Sequence, residues 1–108
     1  MNVETLLTAT KWKIIELLSQ RPHSPTEMAK KIKTTTPNIS QQLRLLEAYN
    51  LVKKKQVEKI SPVKPRIYYE LVSDYALIIM FSKGIAIKKL MKINEQQKNQ
   101  IEKLIKKS

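Results

Sequence analysis

The sequence predicts a mainly α-helical fold with one small β-hairpin, and three observations carry that reading. Two helix-start signals, Ser24-Pro25-Thr26-Glu27 and Thr36-Pro37, follow each other closely, and each joins a capping hydroxyl to a proline suited to the first helical turn. The second signal is followed by Ile39, Leu43 and Leu46, a tight apolar stripe at helical spacing. Behind it, Leu51 to Val57 and Arg66 to Val72 are extended segments, the latter dense in strand formers. Pro62 and Pro65 between them specify a loop rather than a tight turn.

In chain order, Val3, Leu6 and Leu7 predict a short leading helix. Thr10 to Ser19 predicts a longer one capped by Thr10, with Ile14, Leu17 and Leu18 on one side and Trp12 read as core. Arg21-Pro22 stops it, because a residue before proline is pushed out of the helical region. His23 then reads as an exposed loop residue. Glu27 stands where a capping box needs a carboxylate, so a second helix runs from Pro25 to about Ile32. Met28, Ala29 and Ile32 form its narrow buried stripe, with Lys30, Lys31 and Lys33 solvated. Thr34-Thr35-Thr36 breaks it, and a third helix capped by Thr36 runs from Pro37 to about Tyr49. Two helices started this close together make a helix-turn-helix. Asn50 stands where a left-handed residue is wanted. Tyr68 and Tyr69 read as strand residues packed between sheet and helix.

Periodicity does not separate strand from helix in the apolar run Tyr75 to Phe81. Ser73 as a cap and Gly84 as punctuation tilt the reading towards helix, against its β-branched and aromatic content. Ile85 to Ile93 reads as helix. Asn94 with Gln97 marks a last start signal, giving a helix to about Lys106 whose stripe, Ile101, Leu104 and Ile105, a single chain struggles to bury.

At 108 residues the chain is expected to be one compact unit, with the helix-turn-helix and hairpin in 1–72 and an apolar, dimerising segment in 73–108. Lysine and arginine number 21 against 9 acids, a formal charge of +12, which favours polyanions, nucleic acid first and an anionic membrane second. No cysteine is present, which excludes disulfides, thiolate metal sites and a thiol nucleophile and is consistent with a cytoplasmic location. One glycine and one histidine leave neither a phosphate-cradling loop nor an imidazole pair. Asp74, Glu70 and Glu95 are scattered acids without a partner histidine. No enzyme, cofactor or metal is expected. The N-terminus has no basic stretch leading into an apolar one, and no apolar run approaches the ~18 residues of a membrane span.

The order helix, short helix, turn, polar-faced helix and basic hairpin resembles the winged helix-turn-helix of ArsR/MarR-like transcriptional regulators from about Thr10 to Val72. The most specific stretch is Pro37-Asn-Ile-Ser-Gln-Gln-Leu-Arg-Leu-Leu-Glu47 with Asn50-Leu51-Val52, similar to that family's recognition helix and first wing strand; Asn50 departs from the family's usual glycine. The resemblance implies a homodimer placing two such helices in successive major grooves. Independently of it, Gln41 and Arg44, opposite the apolar stripe, are the expected base readers. Asn38 and Ser40 flank them, and Thr36 sits where helix-terminal N–H groups favour a phosphate. Residues 53 to 66 hold Lys53, Lys54, Lys55, Lys59, Lys64 and Arg66 against Glu58, 6 − 1 = +5, and Lys59, Lys64 and Arg66 are the expected backbone grips. The expected function is a sequence-specific repressor on double-stranded DNA. The alternatives are sequence-independent chromosome architecture and a winged-helix adaptor for protein or RNA. A small-molecule pocket along Tyr75 to Phe81, Leu90, Met91 and Ile93 ranks behind use of that segment as dimer core.

Overall fold

The first long helix, α1, spans Ala9–Gln20 in the computed structural model, which describes residues 3–56 and 66–107. A 3-10 turn, Val3–Leu7, precedes it and lays Leu6 into the core. The helix boundary falls at Thr8 rather than Thr10, because Thr8 takes extended backbone and its hydroxyl donates to the carbonyl of Thr5 (3.0 Å), closing the turn before the helix begins. Ile14 and Leu18, four apart, point inwards. Trp12 lies nearly half a turn round from Ile14, so it is 44% exposed and not a core residue.

The second helix, α2 (Pro25–Ile32), starts as its sequence requires. The Glu27 N–H donates to Ser24 Oγ at 3.2 Å, and the Ser24 N–H donates to Glu27 Oε1 at 3.1 Å, a reciprocal box that satisfies two otherwise orphaned donors. Arg21 adds an ion pair to the other carboxylate oxygen at 3.1 Å. The Ser24 backbone hydrogen bond and the Arg21 guanidinium together hold the Glu27 carboxyl below its ordinary value of 4.5. A depressed carboxylate stabilises the fold above its unfolded value and loses that contribution as pH falls through its folded value. Thermal denaturation is therefore expected to show wild type melting above Glu27→Gln near neutrality, with the gap closing on acidification; a gap independent of pH contradicts the assignment.

Met28 and Ala29 are buried, and Lys33 ends the helix with left-handed backbone, φ 64°. The third helix, α3 (Thr36–Ala48), is capped by Thr35 and not Thr36. Thr35 Oγ1 accepts from the Asn38 N–H at 3.2 Å, so Thr36 becomes the first helical residue and Pro37 the second. Ile39, Leu43 and Leu46 are fully buried. Asn50 takes the expected left-handed conformation, φ 60°, and releases the chain into β1 (Val52–Gln56).

Strand β1 pairs antiparallel with β2 (Ile67–Leu71), from Val52 opposite Leu71 to Gln56 opposite Ile67. The expected loop between them, with Lys59 and Lys64, lies outside the described residues. His23 is not exposed; it is completely buried. Its backbone exchanges two hydrogen bonds with Tyr69 (3.2 and 2.9 Å), which ties the segment between α1 and α2 to the hairpin. Lys31 can only donate, so its ammonium donates to His23 Nε2 (3.1 Å) while Nδ1 donates to the Arg21 carbonyl (2.8 Å).

The chain divides into two compact units, Met1–Val72 and Ser73–Ser108. The second unit overturns the helical reading of residues 75 to 93. Tyr75–Ser82 is strand β3 and Ile85–Lys92 is strand β4, paired antiparallel along their whole length. Gly84, at φ 92°, supplies the left-handed residue of the two-residue turn between them, so it closes a hairpin instead of ending a helix. The β-branched and aromatic content of the run prevails over the helix signals at its edges. The last helix, α4 (Glu95–Lys107), carries the expected cap: the Gln97 N–H donates to Asn94 Oδ1 (2.8 Å) and the Asn94 N–H to Gln97 Oε1 (2.9 Å). Among the described residues, every buried hydrophobic side chain belongs to the first unit.

Candidate nucleic-acid interface

Three buried side chains orient the polar face of α3. With Ile39, Leu43 and Leu46 turned into the core, the 100° step per residue sends Gln41 and Arg44 to the opposite side, where both are exposed. These are long, hydrogen-bonding side chains on a rigid helix, suited to reaching base edges in a groove wide enough for one helix. Beneath the same helix lies Tyr69, whose phenol is pushed above its ordinary value of 10.0 by burial and by the charge of Glu47, with Arg44 opposing.

Thr36 and Ser40 stand one turn apart on the side of α3 that faces the start of α2. They line an open groove of about 510 Å³ together with Ser24, Thr26 and Lys30 from the α2 side and Arg66 and Ile67 from the hairpin. Three of the residues singled out from the sequence, Thr36, Ser40 and Arg66, thus meet in one concavity, with the N-terminal turn of α2 on its wall. Hydroxyls, one lysine, one arginine and a helix N-terminus form a chemistry suited to phosphate oxygens; the one acid on this lining, Glu27, is held by the Ser24 N–H and by Arg21. Thr26 and Lys30 escaped the sequence reading, because only the packing of α2 beside α3 brings them to this groove.

Asn38 has a different environment. Its side-chain amide donates to Thr34 Oγ1 (3.0 Å), bracing the turn ahead of α3, and its carbonyl accepts from Gln42 Nε2 (3.5 Å) one turn along the helix. The hairpin's charge is also less free than a count along the chain suggests. Glu70, outside the 53 to 66 window, lies opposite Lys53 and sits 3.8 Å from the ammonium groups of both Lys53 and Lys55. Two of the six cations therefore share an acidic neighbour, a contact that only the strand register reveals. Lys54 and Arg66 are exposed.

Among the described residues, no cluster of three histidine, cysteine or acidic side chains is placed to hold a metal ion. No helix among them is long and apolar enough to cross a membrane.

Comparison with known proteins places this geometry in context. Residues 8–54 match the family model described as bacterial regulatory protein, arsR family, a span that includes α1, α2, α3 and the start of β1. No curated protein matches the chain. Among solved structures, the chain is similar to the Helicobacter pylori ferric uptake regulator Fur, a structure described as revealing three functional metal binding sites in that protein. The identity is 17%, the TM-score 0.47, and the match covers 99% of this chain and 82% of that one.

Proposed function

We propose that this chain, whose residues 8–54 match the arsR-family model, is a winged helix-turn-helix DNA-binding regulator that acts in the cytoplasm as a homodimeric repressor, blocking transcription by occupying an operator. The observation that carries this reading is the exposed pair Gln41 and Arg44, aimed outwards by the fully buried Ile39, Leu43 and Leu46. Gln41 and Arg44 read bases; Thr36, Ser40 and Arg66 hold the backbone beside them. Lys59 and Lys64 extend the backbone grip, and Asn38 fixes the entry to the reading helix while its N-terminal position keeps it near the phosphates. Residues 1–72 bind DNA, and 73–108 join the two copies.

Phosphate contacts release counterions irrespective of sequence, whereas base contacts discriminate. Lys59→Ala and Lys64→Ala are accordingly expected to weaken binding to every duplex alike, each flattening the dependence of log K on log salt by about one unit per chain, or about two for the dimer. Titration by fluorescence anisotropy over a salt series checks this; a loss confined to one sequence contradicts it.

The test of the whole reading is selection of bound duplexes from a random pool at about 150 mM salt, where non-specific attraction is weakened. Enrichment of an inverted repeat with half-site centres about 10 bp apart supports a dimeric repressor. Binding retained without an enriched motif supports chromosome architecture instead, the second reading that a charge of +12 favours. Failure to bind duplex DNA even at low salt overturns both.

A further inference from the structure

The second unit consists of a hairpin and a helix with no buried side chain among its described residues. A lone two-stranded ribbon is marginal in water; three or more strands, or cover from another layer, are needed for independent stability. Its first strand, β3, is apolar on both faces. Residues directly opposite share a face, so Tyr75, Leu77, Ile79 and Phe81 lie on one and Ala76, Ile78 and Met80 on the other. Ile79 is 52% exposed, Phe81 83% and, on α4, Leu104 70%.

The two outer edges of the ribbon differ in charge. Strand β4 carries Lys88, Lys89 and Lys92, whereas β3 has no charged residue from Tyr75 to Ser82. Lysines blunt an edge against pairing, and an uncharged apolar strand of eight residues is what an unpaired edge ordinarily avoids. A second copy approaching through β4 would oppose lysines to lysines, and one approaching through β3 meets no such repulsion.

The hydrogen-bond parity shows which groups are available. The Ile93 N–H donates to the Asp74 carbonyl (3.1 Å). Hydrogen-bonded pairs alternate along an antiparallel ladder, so the even residues of β3 bond inwards to β4. Leu77, Ile79 and Phe81 then turn their N–H and C=O groups to the outer edge, where among the described residues no other strand pairs with β3.

From the charge asymmetry and this parity we infer that the homodimer forms by antiparallel pairing of β3 with β3 of a second copy about a two-fold axis, making one four-stranded sheet with the lysine-bearing β4 strands outermost. Facing residues must both be outward-bonding or both inward-bonding, so the axis passes through a residue, Ile78 or Ile79, near the middle of the strand. The inference rests on the dimeric reading above and specifies the surface that it uses.

Sedimentation equilibrium of the full chain tests it. Ile79→Pro deletes an outward N–H of β3 without removing a β3 to β4 bond. Lys88→Pro, directly opposite Ile79, does the same at the other edge. The expected result is twice the chain mass for wild type and Lys88→Pro, and the single-chain mass for Ile79→Pro. Because the chain has no cysteine, a second measurement does not depend on tolerating proline. Of Ile78→Cys and Ile79→Cys, the one on the axis is expected to oxidise to a covalent dimer, since self-opposed Cα atoms ~4.5–5.5 Å apart suit a disulfide; Lys88→Cys is not. A dimer that survives Ile79→Pro, dissociates equally with Lys88→Pro, or cross-links at neither Ile78 nor Ile79 overturns the β3 edge while leaving the dimeric repressor intact. A monomeric wild type overturns both.

Discussion

Replacing Leu43 by alanine is expected to destabilise the first unit by about 2–5 kcal/mol, the range for emptying a fully buried leucine site. Small domains are held by roughly 5–15 kcal/mol in total, so this one change removes a large share. Leu43 is completely buried between Ile39 and Leu46, equally buried on the same stripe of α3. The loss combines the transfer of a side chain to water with the contacts left unmade around the void. Leu45, two residues along and 44% exposed, provides the comparison: Leu45→Ala is expected to shift stability by under ~1 kcal/mol. Urea denaturation followed through Trp12, the single tryptophan, measures both. Equal destabilisation by the two variants would sink the orientation of α3, and with it the outward aim of Gln41 and Arg44.

The elements that the sequence discloses most sharply are those whose causes are local. Ser24 with Glu27 and Asn94 with Gln97 form their boxes within one turn, so both can be read from spacing and both occur. Asn50 likewise takes its left-handed backbone, for which a short polar side chain is the best substitute for glycine. The cap of α3 is shifted because the adjacent Thr35 and Thr36 offer equivalent hydroxyls, whereas α1 starts at Thr8 with no side-chain cap at all, the Thr8 hydroxyl being turned back to the Thr5 carbonyl. Non-local causes are less visible. The burial of His23 depends on two bonds to Tyr69, far away in sequence. The ion pairs of Glu70 depend on register. Strand β3 has no period to betray it, since it is apolar on both faces, and a Lys-Gly turn decides what propensity leaves open. The groove that joins Thr36, Ser40 and Arg66 combines both kinds: its α3 rim can be read from helical spacing, and its α2 wall cannot.

Removing Gln41 and Arg44 together is expected to erase base preference while leaving the protein folded. Each good side-chain contact to a base edge discriminates by about 1–3 kcal/mol, or roughly 5- to 150-fold between right and wrong base pairs. Both residues are exposed and neither contributes to the core, so alanine, the best helix former, costs α3 little. The double variant Gln41→Ala, Arg44→Ala should keep the melting temperature of wild type within a few degrees. In competition binding its preference for the selected operator over scrambled duplex should fall by at least ~100-fold if both residues read bases. Arg44 also carries charge, so binding to scrambled DNA should weaken modestly and the salt slope should fall by no more than about one unit per chain, or about two for the dimer. Arg44→Lys separates the two roles. A lysine retains the charge but not the fork that pairs bidentately with guanine, so preference should drop while the salt slope is unchanged. Selectivity that survives the double substitution would move base reading elsewhere, to the groove of Thr36, Ser40 and Arg66 or to the hairpin, and would leave α3 as a helix that only positions the backbone.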